Sequence, residues 1–369
     1  MHVPVTRLCL TSARPYSSSP INSAQVTFSN GSVYTGDLAD KKRHGLGKNV
    51  YINQTVYQGE WFNDKPHGRG MVTAPNGIVV YKGHFSNGVR KGEGESYEAE
   101  GSYTGLWENN LKHGKGTMQY VDGSTYTGEF RKGKKHGKGS MTETDGSIYE
   151  GDFYKDVETG TGKYTHPSGL VYDGQVVDGE RHGMGRTQYP DGTSYSGDYK
   201  SDLEHGTGLL MHPNGSSYMG DFVQGKSHGE GVYTDAEGTV YTGYFENNQP
   251  HGEGTLKNTD ETHFEGTFVN GKKHGVGKLT LENGDVFESV FERGVSSKTV
   301  KLIRKDGNVF VGCFVEGVLQ GSAECTTPNG TVYQGTFVDF QLHGAGKEIC
   351  PDGSVYEGEF NMGVRHGPK

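Results

Sequence analysis

The sequence predicts an all-β protein built as an elongated single-layer antiparallel meander. Three observations predict it. A Tyr-x-Gly-x-aromatic motif returns every 23 residues, most copies are accompanied by an Asp/Asn-Gly turn signal, several of them with proline before it, and the composition is wrong for compact cores. Of 369 residues 31% are hydrophobic, while glycine fills 61 positions and tyrosine and phenylalanine 22 and 16. That is too little aliphatic bulk for the two or three globular domains this length would otherwise suggest. The glycines and tyrosines are periodic, so the low apolar content marks a repeat architecture and not disorder.

The first aromatic of the motif falls at Tyr34, Tyr57, Tyr81, Tyr103, Tyr126, Tyr149, Tyr172, Tyr195, Tyr218, Tyr241, Phe264, Phe287, Phe310, Tyr333 and Tyr356. These fifteen repeats cover residues 24–369, with a spacing of 24 then 22 around Tyr81. Residues i, i+2 and i+4 of a strand share a face, so Tyr126, Gly128 and Phe130 point one way and Thr127 and Glu129 the other. The segments between turns are too short for helices. In Pro190-Asp191-Gly192 and Pro213-Asn214-Gly215, proline suits the first position of a type I turn and glycine the left-handed position after it. The expected hairpin loop therefore has three residues and a G1 bulge. Counting back from it pairs Met118 with Tyr126, Gly116 with Gly128 and Gly114 with Phe130, which sets aromatic rings over facing glycines. Thirty strands at ~4.8 Å would give a sheet of roughly 140 Å.

The run from Tyr126 to Ser140 (YTGEFRKGKKHGKGS) closely resembles the MORN (membrane occupation and recognition nexus) repeat, and it recurs along the array. Departures occur at Lys91-Gly92, Thr159-Gly160, Ser297-Lys298, Gln320-Gly321 and Ser289, so Phe287 to Ala323 is the weakest stretch, a bend, a partner site or simple drift. The resemblance implies a family associated with membrane-cytoskeleton junctions, phosphoinositide or phosphatidic-acid binding, and ciliary or flagellar assemblies. Its enzymatic relatives carry a separate kinase or methyltransferase domain and its junctional relatives a membrane helix. This chain most resembles the stand-alone arrays of protist cytoskeletal scaffolds.

Other motifs favour plain readings. Eleven His-Gly pairs, from His44 to His366, sit ~9.6 Å apart between successive hairpins, whereas two nitrogens on one zinc lie within about 4 Å, so these histidines are read as structural parts of the turn. The aromatic stripe offers stacking faces, but a packed sheet needs the same rings, so no nucleic-acid partner is expected. No GxxxxGK[ST], HExxH, GxSxG or kinase catalytic set occurs. Asp152, Asp198 and Asp221 recur at one repeat position and read as a solvated face. The chain is expected to be no enzyme and to need no cofactor. No apolar run reaches the ~18 to 20 residues of a membrane-spanning helix. Cys9, Cys313, Cys325 and Cys350 are unevenly spaced and form no CxxC pair, which favours a reducing compartment over a disulfide framework. Of four Asn-x-Ser/Thr sites, at Asn30, Asn53, Asn214 and Asn329, three are turn Asn-Gly pairs, so glycosylation has little support.

Charge is uneven. Residues 1–141 hold 18 Lys/Arg and 11 Asp/Glu, +7, and residues 142–369 hold 18 and 34, −16, giving the net −9. Lys41, Lys42, Arg43, Arg90, Lys91, Arg131, Lys132, Lys134, Lys135 and Lys138 concentrate before the His-Gly pairs and form a candidate surface for anionic phospholipids or acidic partners. Residues 1–23 lack acidic groups and read as a disordered tail with a slight transit-peptide character, and Cys9 offers an acylation site without a specific motif. Past His366-Gly367 no capping element follows, which leaves a strand edge that a homodimer or higher oligomer would cover. Tyr333, Phe337, His343, Cys350, Tyr356 and Phe360 are its candidate interface, across which Cys325, His343 and Cys350 could contribute a shared metal. The function expected is a homodimeric cytoskeletal scaffold in the cytoplasm. The alternatives are a lipid-binding tether at the membrane periphery and a radial-spoke-like subunit of a cilium or flagellum.

Overall fold

A computed structural model describes residues 24–315 and 317–367. The expected tail 1–23, with Cys9, lies outside the described residues. Those residues form thirty-two strands and no helix, and neighbouring strands pair antiparallel. They fall into two compact units, through Gly160 and from Thr161 onward. Each unit is an all-β meander of the predicted class.

In the first unit the strand Leu111–Tyr120 pairs with Thr125–Arg131, setting Met118 against Tyr126, Gly116 against Gly128 and Gly114 against Phe130. The second unit repeats this with Leu210 against Tyr218, Gly208 against Gly220 and Gly206 against Phe222. The register is the one read from the turns. Its cause is the three-residue loop: the Gly123 amide donates to the Tyr120 carbonyl (3.1 Å) and the Ser124 amide to Asp122 Oδ1 (2.8 Å).

The opposite edge carries two-residue turns with both residues left-handed, as at Lys132 (φ 54°) and Gly133 (φ 85°) or Asn109 (φ 50°) and Asn110 (φ 67°). That is type I′ geometry, which matches strand twist and selects Asn, Asp and Gly. The second residue of such a turn also ties neighbouring hairpins together. The Gly133 amide donates to the Lys112 carbonyl (2.8 Å) and the Gly225 amide to that of Glu204 (2.9 Å).

On one face the aromatics interlock. Tyr126 meets Phe130 of its own strand edge-on at 5.1 Å and Phe153 of the next repeat at 5.0 Å, and Tyr195 does the same with Tyr199 and Phe222 at 5.1 and 5.0 Å. Each edge-to-face pair contributes about 0.5–1.5 kcal/mol beyond area burial. Under each ring lie two glycines. A Cβ at Gly139 would collide with the Tyr126 ring and hydroxyl, and one at Gly128 with the Gly139 backbone. The Tyr126 hydroxyl donates to the Glu129 carbonyl (2.9 Å), so the buried phenol is satisfied.

The His-Gly pairs are not in turns, contrary to the sequence reading. Glu129 pairs with His136 although Gly128 pairs with Gly139, so Gly137-Lys138 is a bulge inside the strand Lys134–Thr142. Gly137 takes the left-handed conformation (φ 62°) that the bulge requires.

The spacing anomaly around Tyr81 also resolves. Thr73 pairs with Val79 but Val72 with Tyr81, which leaves Val80 as an extra residue, and the compensating loop, Ala99-Glu100, has two residues where its counterparts have three.

In the second unit the weakest repeat is an interrupted hairpin. Ser289 faces Gly277, and the return strand breaks into Val295–Ser296 and Thr299–Ile303 around Ser297-Lys298. Beyond it the core turns aliphatic, with Leu302, Leu319, Ala323, Cys325 and Leu342 packed around Phe310 and Phe337. Phe340 occupies a left-handed turn position (φ 61°) and packs against Phe310 at 5.2 Å.

Gly139→Ala should destabilise the first unit by about 1–3 kcal/mol in chemical denaturation, the usual cost of overpacking. Gly123→Asn, at a left-handed position with open space around it, should cost ~0.5 kcal/mol or less.

Candidate binding surfaces

The ring face is not open. Nine residues after the first aromatic of many repeats stands a cation that folds over the rings. Arg43 lies over Trp61 at 4.3 Å, Arg90 over Tyr81 at 4.6 Å, Lys135 over Phe153 at 5.2 Å, Arg181 over Tyr199 at 5.0 Å and Lys273 over Phe264 at 4.3 Å. Desolvation lowers the pKa of Lys273 there. Many of these residues are also pinned through the backbone, because the Arg43, Lys135 and Arg181 amides donate to Asp64, Asp156 and Asp202 at 2.8, 2.8 and 3.0 Å. The acceptor is the second residue of the next I′ turn. A turn position that reads Asp or Asn in place of Gly was the sequence signal for it, and sequence reasoning missed it.

The basic set therefore divides. Arg43, Arg90 and Lys135 are half-buried on aromatic rings, whereas Lys41, Lys42, Lys91, Arg131, Lys132, Lys134 and Lys138 are exposed. Two of the exposed ones are paired, Lys134 with Asp156 at 3.2 Å and Lys138 with Asp152 at 2.8 Å. Beside them a groove of about 430 Å³ is lined by Glu100, Lys112, Tyr120, Lys135, Glu143 and Asp156. Lys112 bridges Glu98 and Glu100 at 3.4 and 3.0 Å. Burial, then the surrounding carboxylates led by Asp156, push the Tyr120 phenol up.

The periodic carboxylates do more than face solvent. Asp37 accepts the Leu46 amide (3.0 Å), Glu60 that of Arg69 (2.7 Å) and Asp198 that of Thr207 (3.1 Å), which satisfies the amide each bulge leaves free. The histidines beside the bulges pack on aromatic rings, His44 and His67 against Phe62 at 5.1 and 5.6 Å and His136 against Tyr154 at 5.3 Å.

Of the residues named for a dimer, Phe337 and Phe360 are buried in the chain's own core, Tyr333 and Tyr356 pack partly buried against it, Cys350 is half-buried and His343 is exposed. Cys325 is buried, with its thiol pushed up to about 11 by burial. Among the described residues no three His, Cys, Asp or Glu side chains converge as a metal site would require, so within the chain itself Cys325, His343 and Cys350 form no such group. Nor is any described helix long and apolar enough to cross a membrane.

Comparison with known proteins adds to this geometry. The family model of the MORN repeat matches residues 34–56, 57–79, 81–97, 103–125, 126–148, 149–171, 172–194, 195–217, 218–240, 241–262, 264–286, 310–332, 333–355 and 356–368, and skips the interrupted hairpin. No curated protein matches the chain. Among solved structures, the TCP domain of SAS-4 from Drosophila melanogaster, in complex with a proline-rich motif, is 9% identical, with 64% of this chain and 99% of that one covered at a TM-score of 0.24. The wild-type TCP10 domain of Danio rerio CPAP, in complex with a peptide of Danio rerio STIL, is 12% identical over 92% and 99% at 0.21, and a streptogramin B lyase 11% over 74% and 84% at 0.13. Likeness this loose carries no argument about the present chain.

Two predictions follow from the ring face. Lys135→Ala should lower stability by about 1 kcal/mol through lost stem packing and cation–π contact, while Lys132→Ala changes it by ~0.5 kcal/mol or less; amide exchange of the flanking strands reads the difference. Burial, first of several causes, raises the Tyr34, Tyr81, Tyr126, Tyr172, Tyr218 and Tyr241 phenols to about 12, above an unfolded value of 10.0. A raised folded pKa means that stability is fully present below the unfolded value and lost as pH climbs through the folded one. Stability should hold to about pH 10 and then fall towards pH 12, with tyrosinate absorbance rising as the sheet melts.

Proposed function

Because the chain belongs to the MORN-repeat family, we propose that it is a non-enzymatic scaffold that organises a cytoskeletal or membrane-cytoskeleton structure. One observation carries this reading. The residues that recur in most repeats, the tyrosine with its paired glycines and many of the cations over the rings and of the bulge carboxylates, are engaged in holding the sheet, and what faces solvent is a lattice of side chains that varies from repeat to repeat. A regular support with variable surface positions suits binding several partners at set intervals.

In this proposal the chain also associates with a second copy. The support for it is the short strand Val364–His366, which pairs with Val355–Asn361 and is exposed along its length. Val364 is exposed there. Edge-to-edge pairing, with Phe337 and Phe360 remaining inside each protomer, is the contact we place there.

A membrane role is the second reading, supported by the exposed Arg131, Lys132 and Lys134 at one I′ turn. An anionic surface would hold such residues at about 1 kcal/mol each.

Light scattering on the full chain should give a dimer, and Val364→Lys a monomer. A wild-type chain that stays monomeric at tens of micromolar would sink the self-association but not the scaffold. For the membrane reading, wild type should co-sediment with phosphatidylserine vesicles and a triple Glu variant at Arg131, Lys132 and Lys134 should bind at least ~10-fold more weakly. Equal binding by the two proteins would refute it.

A further inference from the structure

The outer face of the second unit carries an apolar patch that the packing does not explain. Arg186 pairs with Ser196, Ser196 with Leu209, Leu209 with Met219, Met219 with Val232, and Val232 with Thr242, so these residues form one row across six consecutive strands. At its centre sit Leu209, Met219 and Val232. Met184 shares a strand face with Arg186, and Met211 with Leu209. Met184, Met211 and Met219 are 60%, 50% and 59% exposed, whereas Met118 and Met141 of the first unit are buried in the ring-face core. The chain has eight methionines, so three exposed on one face within four strands is a concentration and not scatter.

The surroundings are acidic. Asp198 stands opposite Met184, Thr207 opposite Asp221, and Glu230 opposite Tyr244, so carboxylates run beside the apolar row. Residues 201–250 contain seven Asp/Glu and a single Lys, Lys226.

Charge decides the occupant. A second copy meeting this face through a two-fold axis would set the same carboxylates against one another. An anionic membrane would be repelled as well. A partner that fits must offer an apolar stripe with cations on both sides. Flexible thioether side chains adapt to such stripes without one fixed shape. We propose that this face, centred on Met219, docks a basic amphipathic helical segment of a partner protein. The inference rests on the scaffold reading for its purpose, but its test is separate, since self-association is read at Val364 on another part of the unit.

The experiment uses the full chain and a fluorescent 14-residue peptide of leucine and lysine with leucines at helical i, i+3, i+4 and i+7 spacing. Two controls accompany it: the same composition scrambled to remove the stripe, and a leucine–glutamate version. Anisotropy should show micromolar binding of the striped cationic peptide, at least ~10-fold weaker binding of the scrambled one, and none of the acidic one. Met184→Gln with Met219→Gln, and separately Glu230→Lys, should each weaken binding at least ~5-fold. Glu230→Lys keeps the test valid if the double variant melts early. Three outcomes would overturn the proposal: no binding, binding indifferent to both variants, or binding equal for striped and scrambled peptides, which is charge alone. Two others would reassign the face: loss of a dimer in the methionine variant would give it to a second copy, and methionine-dependent co-sedimentation with phosphatidylcholine vesicles to a membrane.

Discussion

Everything in this protein depends on the space between two facing glycines. Where Gly128 meets Gly139, the strands present no side chains, and the Tyr126 ring lies in the clearance. Its hydroxyl reaches a carbonyl three residues along, so a polar phenol can be buried at no hydrogen-bond deficit. Rings held this way touch the next repeat edge-on, and the contact passes from hairpin to hairpin. A single layer thereby acquires a core without a second layer to cover it. Side chains of the return strand serve as the cover, and arginine and lysine suit the task because their stems lie on aromatic faces while their heads stay wet.

The second unit shows what happens as this device lapses. With Ser289 in place of glycine, Phe287 makes its edge contact with Phe314 at 5.5 Å, and leucines take over the covering role at Leu319 and Leu342. Packing then relies on aliphatic fit, which tolerates exchange of shapes better than a ring held over bare backbone. Phe340 in a left-handed turn fits this change, because its ring adds to that core although its backbone conformation is unfavourable for a bulky residue.

Much of this was legible in the sequence, and the pattern of success has a physical cause. The pairing of Met118 with Tyr126 could be read because a three-residue loop with glycine last fixes register by local geometry alone. The bulge at Gly137 could not, since two residues that one neighbouring strand skips and the other still pairs leave the alternation intact on either side. The same blindness turned His136 into a turn residue and Asp198 into a solvated charge. Lys135 looked like one more member of a basic run. Its difference from Lys134 is one step of strand alternation, which decides whether an ammonium stem meets rings or water. The candidate interface suffered similarly: Phe337 and Phe360 carry the periodicity of the core, and periodicity argues for burial within the chain before it argues for burial between chains.

The two kinds of turn divide the labour between the edges of each unit. The I′ edge is cross-tied from hairpin to hairpin through backbone amides, as from Gly133 to Lys112, so its loops keep two residues. Both irregularities around Tyr81, the extra Val80 and the short loop at Ala99-Glu100, lie towards the other edge. Growth and loss of chain length are thus channelled to one margin, where a foreign loop or reporter could be grafted without disturbing the ties along the opposite side.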